Sequence, residues 1–171
     1  MSKLFIDSNS FYIICTNLAK KIIHSKYKPD AILGISRGGC VPSIIIHEYL
    51  NYNNIKCKYY VMSAKSYENN KQTDKMFIDM SNYTRESLKK CNNILIVDDI
   101  FDTGLTIMNV CNYLYGLGIQ SDTFKIATPY YKPKKNKTTI IPDYYKEETE
   151  EWIVFPHELI GLTKDEIKYK V

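Results

Sequence analysis

Two uninterrupted apolar runs, Ala31-Ile32-Leu33-Gly34-Ile35 and Ile94-Leu95-Ile96-Val97, most narrow the folds open to this chain. A strand with one wet face alternates apolar and polar residues. These runs do not alternate, so strands built from them must be covered on both faces. Each run leads into a short turn and then a helical pattern. Arg37, Gly38 and Gly39 turn the chain after the first, and Pro42 suits the first turn of a helix running to about Leu50. After the second, residues 99–104 form a turn before a helix that reaches about Leu117 and stops at Gly118. Further strands are expected at Lys56–Ser63 and Thr123–Thr128, with short extended pieces at Tyr144–Tyr145 and Trp152–Phe155.

Strands alternating with helices imply βαβ units. The expected class is therefore α/β, a mostly parallel twisted sheet flanked by helices. Before the first strand, Ser10 is placed to cap a helix with Phe11, Ile14, Cys15, Leu18 and Ile22 on one face. Residues from about Ala64 to Tyr83 are polar and without period, so a long loop is expected there, of the kind that often serves as a lid. Lys132–Lys137 is expected to be a solvated turn, and Thr163 with Glu166 to form a capping box on a last short helix. Nothing in the pattern marks a linker or a repeat, and a single domain over residues 1–171 is expected.

The net charge of +4 comes from 23 basic and 19 acidic residues, too even a mixture for a nucleic-acid-binding stripe. A pocket for a small anion accounts for the excess as well. The five cysteines stand at no metal-ligand spacing and are expected to be buried thiols. No signal-peptide pattern opens the sequence, and no apolar run approaches the length of a membrane span, so no membrane partner and a cytoplasmic location are expected.

The chemistry concentrates in residues 94–106, ILIVDDIFDTGLT. A buried strand delivers Asp98 and Asp99 to its C-terminal end, where open α/β sheets bind ligands. Asp102, Thr103, Gly104, Leu105 and Thr106 follow and open a helix. Backbone N–H groups in such a turn make a phosphate cradle, and threonine hydroxyls add donors. Acids beside a phosphate cradle make sense for a sugar phosphate, whose hydroxyls donate to carboxylates while a divalent cation offsets charge. The sequence has neither the P-loop pattern nor the G-x-G-x-x-G dinucleotide pattern, which disfavours ATP and NAD.

Along these thirteen residues the chain resembles the motif by which type I phosphoribosyltransferases bind 5-phosphoribosyl-1-pyrophosphate (PRPP). The resemblance implies that family's fold, with a small C-terminal hood over the site. It implies Mg²⁺ as cofactor, and PRPP bound by Asp98, Asp99 and residues 102–106, with Asp102 exchanging a proton with the acceptor base. Ser36, Arg37 and Gly38 stand where the family has its pyrophosphate loop, in which a non-prolyl cis peptide is common. The C-terminal third is similar to the xanthine-guanine and hypoxanthine branch, through Lys132-Pro133 and Trp152-Ile153. By that likeness Lys132, Trp152 and Ile153 hold a purine base, Ser66 and Tyr67 belong to a closing lid, and Asp99 and Glu158 hold metal. Relatives of this size commonly form dimers or tetramers, so a homo-oligomer is expected. His157 departs from the Trp usual after Phe-Pro in this branch, which leaves the base open. Transfer to adenine or a pyrimidine, and a PRPP-binding regulator of the same fold, stay as alternatives.

Overall fold

A computed structural model describes residues 3–66, 76–168 and 170. The strands are β1 (Lys3–Phe5), β2 (Ala31–Ser36), β3 (Lys58–Ser66), β4 (Met76–Asp79), β5 (Ile94–Val97), β6 (Ile100–Phe101), β7 (Phe124–Tyr131), β8 (Tyr144–Glu148) and β9 (Trp152–Val154). The helices are α1 (Ser8–His24), α2 (Cys40–Tyr52), α3 (Asn82–Leu88), α4 (Leu105–Gly116) and α5 (Lys164–Lys168). The main sheet runs β4-β3-β2-β5-β7, and β6 and β8 also pair with β7. Every pairing in it is parallel except β3 with β4.

Burial of both sheet faces follows from the two apolar runs. Ile94 and Ile96 of β5 join Leu33, Ile35, Val110 and Leu114 in one core layer beneath α4. Leu95 and Val97 point the other way, into Leu18, Ile22, Ile46 and Leu50 of α1 and α2. Each of these side chains contributes roughly 1.5–3 kcal/mol by leaving water, so β5 is fixed from both sides and its C-terminal end is a firm platform.

That end carries a break. Val97 pairs with Ala127, and Ile100 takes up the same register against Tyr130. Asp98 and Asp99 therefore interrupt what is otherwise one line of pairing along β7. A second, two-stranded sheet joins β1 to β9 in parallel. With Phe11 and Cys15 of α1, Ile153 and Phe155 form a third apolar cluster beneath it. The hood over the site is thus built from both ends of the chain, where the sequence pointed to its C-terminal part alone.

Several local expectations need correction. Asp7, not Ser10, caps α1: its carboxylate accepts from the Ser10 amide at 2.9 Å. The loop expected at 64–83 is narrower, because β3 continues to Ser66 and pairs with β4, and α3 begins at Asn82. Ser66 ends β3 opposite Met76, and Tyr67 lies outside the described residues, so the expected lid pair is seen only through the backbone of Ser66. Lys132 is not solvated but buried, 2% exposed. The capping box on α5 is present: Thr163 N–H donates to Glu166 at 2.8 Å and Glu166 N–H to the Thr163 hydroxyl at 3.3 Å. Among the described residues no helix is long and apolar enough to cross a membrane.

Candidate active site

Two cavities meet above the C-terminal ends of β2 and β5. The larger, about 490 Å³, is lined by Ser36, Arg37, Gly38, Asp98, Asp99 and Thr106 from the sheet side and by His157, Glu158, Leu159 and Ile160 from the hood. The smaller, about 200 Å³, is lined by Asp99, Ile100, Asp102, Lys132, Trp152, Ile153, Phe155 and Glu158. Asp99 and Glu158 belong to both, so the chambers adjoin at these two carboxylates.

The turn after β2 shapes the larger chamber. The Ser36–Arg37 peptide is cis. Gly38 lies against Asp99: a Cβ at residue 38 would overlap its carboxyl group. Any other residue here would push Asp99 out of place, and that accounts for the glycine better than flexibility does.

Asp98 and Asp99 pay for their position in solvation. Burial raises the Asp98 carboxyl well above the usual carboxylate range, and the neighbouring Asp99 charge adds to this. Burial, then the facing Glu158, push Asp99 up to about 7. Two desolvated acids with a third carboxylate opposite favour a ligand that brings hydroxyl donors or positive charge. Glu158 is held by its own turn, in which Phe155 N–H donates to its carboxylate at 3.3 Å and its own N–H donates to the Phe155 carbonyl at 3.0 Å. Beside it, the His157 ring stacks on Phe155 at 5.6 Å and 16°, and desolvation lowers its pKa.

The turn from Asp102 to Thr106 closes the floor. Gly104 is the N-cap of α4 with φ 77°, a conformation glycine adopts without strain. Leu105 N–H donates to the Thr103 hydroxyl at 3.4 Å, and the Thr103 carbonyl accepts from Lys137 at 2.9 Å. Of this turn, Thr106 reaches the wall of the larger chamber and Asp102 that of the smaller. A Cβ at Gly104 would sit 2.7 Å from the Phe101 ring and 2.7 Å from the Thr138 hydroxyl. Gly104→Ala is therefore expected to lower stability by about 1–3 kcal/mol, from overpacking and the disallowed φ together. Thermal unfolding measures this, and an unchanged midpoint would show that the turn relaxes freely.

In the smaller chamber, Lys132 donates to Asp102 Oδ2 at 2.9 Å. The other carboxylate oxygen, Oδ1, is buried and has no partner among the described residues. Unpaired buried acceptors are costly, so Asp102, which lines this chamber, has one oxygen satisfied by Lys132 and one in want of a donor. Trp152 is 55% exposed and lines the chamber rather than packing in the core, while Ile153 is buried.

The family described as the phosphoribosyl transferase domain matches residues 5–159. The chain belongs to this family. A xanthine-guanine phosphoribosyltransferase of Idiomarina loihiensis is 26% identical over 159 residues, 92% of this chain and 88% of that protein. One from Cereibacter sphaeroides is 30% identical over 130 residues, 75% of this chain and 69% of that protein. The crystal structure of a purine phosphoribosyltransferase from Pyrococcus horikoshii Ot3 superimposes with a TM-score of 0.71 at 30% identity, covering 96% of this chain and 99% of that one.

As a phosphoribosyl transferase domain, the chain gathers in two adjoining chambers Ser36, Arg37, Gly38, Asp98, Asp99, Asp102, Thr106, Lys132, Trp152, Ile153 and Glu158, all picked out by the sequence motifs. Thr103, Gly104 and Leu105 form the turn behind them. The wall residues Ala64, Leu159 and Ile160 carry no sequence signal, since they are ordinary apolar residues brought in by the fold. His157 was visible only as an anomaly beside Glu158.

Proposed function

We propose that this enzyme transfers the phosphoribosyl group of PRPP to a 6-oxopurine (hypoxanthine, guanine or xanthine), with release of pyrophosphate. The observation that carries the reading is the pair of chambers joined at Asp99 and Glu158, one lined also by Asp98, Arg37 and Thr106, the other by Asp102, Lys132 and Trp152. In the reaction the bond from the sugar carbon to a pyrophosphate oxygen breaks, a bond to a purine nitrogen forms, and a proton leaves the imidazole ring.

The sugar phosphate fits the larger chamber by its chemistry. Asp98 and Asp99 accept from the ribose hydroxyls, which relieves the desolvation both acids suffer. The first-turn amides of α4 and the Thr106 hydroxyl take the 5′-phosphate. Arg37 and the amides of the Ser36–Gly38 turn take the pyrophosphate, Arg37 as a permanent cation.

Metal fits as well. Among the described residues no three His, Cys, Asp or Glu side chains stand together as a protein-only metal cage. Mg²⁺ does not need one, because it is commonly held by one or two carboxylates with substrate phosphates and water completing the shell. Asp99 and Glu158 would hold it, and when bound it would supply positive charge to the departing pyrophosphate.

The base fits the smaller chamber. Trp152 offers an aromatic face for stacking. Lys132 spends one N–H on Asp102 and keeps others for the base. An ammonium can donate to a carbonyl oxygen at the 6-position but cannot accept from an amino group, which favours 6-oxopurines over adenine. Asp102, which lines this chamber and has one oxygen without a partner among the described residues, takes the imidazole proton as general base.

The test is direct. Protein, PRPP and Mg²⁺ are incubated with hypoxanthine, guanine, xanthine or adenine, and nucleotide formation is followed. Turnover of at least one 6-oxopurine, and PRPP binding that weakens strongly on chelating the metal, are expected. No turnover of any 6-oxopurine would overturn the reading.

A further inference from the structure

The segment after residue 159 lies outside the family match, yet it reaches back to the site. Lys170 donates to two backbone carbonyls, that of Phe155 and that of Glu158, the latter at 2.6 Å. These are the two ends of the turn that carries His157 and Glu158 into the chambers. The ammonium therefore pins both ends of a four-residue turn whose own closure is one backbone bond and one carboxylate contact.

The neighbouring helix is itself anchored. The capping box fixes the start of α5. Glu166 then pairs with Lys3 of β1 at 2.6 Å. Strand β1 pairs with β9, which runs directly into the turn. The chain thus closes a loop of contacts, from β9 through the turn to α5 and back through β1 to β9. Lys3–Glu166 is half-exposed and contributes little energy by itself, but it sets where α5 lies. Lys170 carries the contact to the turn.

We propose that Lys170 is a positioning residue for the substrate chamber: it clasps the Phe155–Glu158 turn so that Glu158 faces Asp99 where the two chambers join. Lys170 touches no reacting atom in this scheme. It acts through the turn. The effect on PRPP rests on the activity proposed above, whereas the effect on the turn does not.

Two measurements separate these. In substrate-free protein, Lys170→Met should speed amide exchange at Phe155 and Glu158, while the β5 amides keep their protection. Lys170→Arg should restore it, because a guanidinium can also donate to both carbonyls. Hydrogen bonds to a charged group are commonly worth enough that losing one changes an equilibrium about tenfold or more. PRPP affinity in the presence of Mg²⁺, measured well below the unfolding temperature, should accordingly fall about tenfold in Lys170→Met and recover in Lys170→Arg. Unchanged exchange at Phe155 and Glu158 would overturn the clasp. So would a loosened turn with wild-type PRPP affinity, since the turn would then not serve the chamber. A wild-type protein that does not bind PRPP would refute the proposed activity and leave the exchange result to decide the clasp.

Discussion

Asp102→Asn should lower kcat/KM about 10²–10⁴-fold, the usual worth of a general acid or base, with little change in PRPP affinity. The plain alternative, that Asp102 only caps the helix after the strand, conflicts with the structure. The N-cap of α4 is Gly104, and no side chain caps that end. Asp102 turns instead toward the smaller chamber, with Oδ2 on Lys132 and Oδ1 buried without a partner among the described residues.

Asparagine reproduces the shape but not the polarity. Its carbonyl would accept from Lys132, which leaves the NH₂ group where Oδ1 now waits. A donor then faces the imidazole N–H, and neither can give up a proton to the other. In the proposed mode the sugar phosphate is gripped elsewhere, by Asp98, Asp99, Arg37 and the turn at Thr106, so its dissociation constant should stay within a few-fold of wild type. Steady-state kinetics beside a PRPP titration decide the matter. Near-normal turnover would leave Asp102 as a structural partner of Lys132 and nothing more.

The sheet and most of the site were legible in the sequence, for one physical reason. A strand covered on both faces has no polar residue to spare, so Ile94–Val97 and Ala31–Ile35 announce themselves, and the residues just past them are necessarily at the ligand-binding edge. What escaped was set by distant partners. Strand β1 is three residues long, and only its pairing with β9, nearly 150 residues away, makes it a strand. Strand β4 and the start of α3 sit in a polar stretch whose order comes from antiparallel pairing with β3, not from periodicity. The Lys132-Pro133 pair singles Lys132 out, but the residue lies among other lysines, and composition does not show that it is buried. Its burial is decided by the end of β7 and by Asp102, thirty positions earlier. The clasp of Lys170 has no local signature at all, because its acceptors are backbone carbonyls.

Lys132→Met is expected to lower kcat/KM for 6-oxopurines by about 10²-fold or more, again with PRPP affinity nearly unchanged. Methionine keeps much of the side chain's length and suits a position only 2% exposed, so the chain should fold. What it removes is the charge-assisted hydrogen bond to Asp102 and, on the proposed function, a second one to the 6-oxygen. Such bonds are worth about 1.5–3 kcal/mol each. The Asp102 contact lies toward the lower end, since the Asp102 side chain is 34% exposed and water can partly replace the ammonium. Selectivity should change with rate. On the proposed function the wild type should disfavour adenine, because the ammonium would meet an amino group that cannot accept, and methionine removes that conflict. The ratio of hypoxanthine to adenine turnover should therefore fall further than adenine turnover itself. Because Lys132 and Asp102 share a bond, the double variant with Asp102→Asn should lose less than the sum of the two single losses, as groups acting as one unit do. Additive losses would mean that the 2.9 Å pair has no part in catalysis. Equal loss of base use and PRPP affinity would mean that Lys132 supports the whole site rather than reading the base.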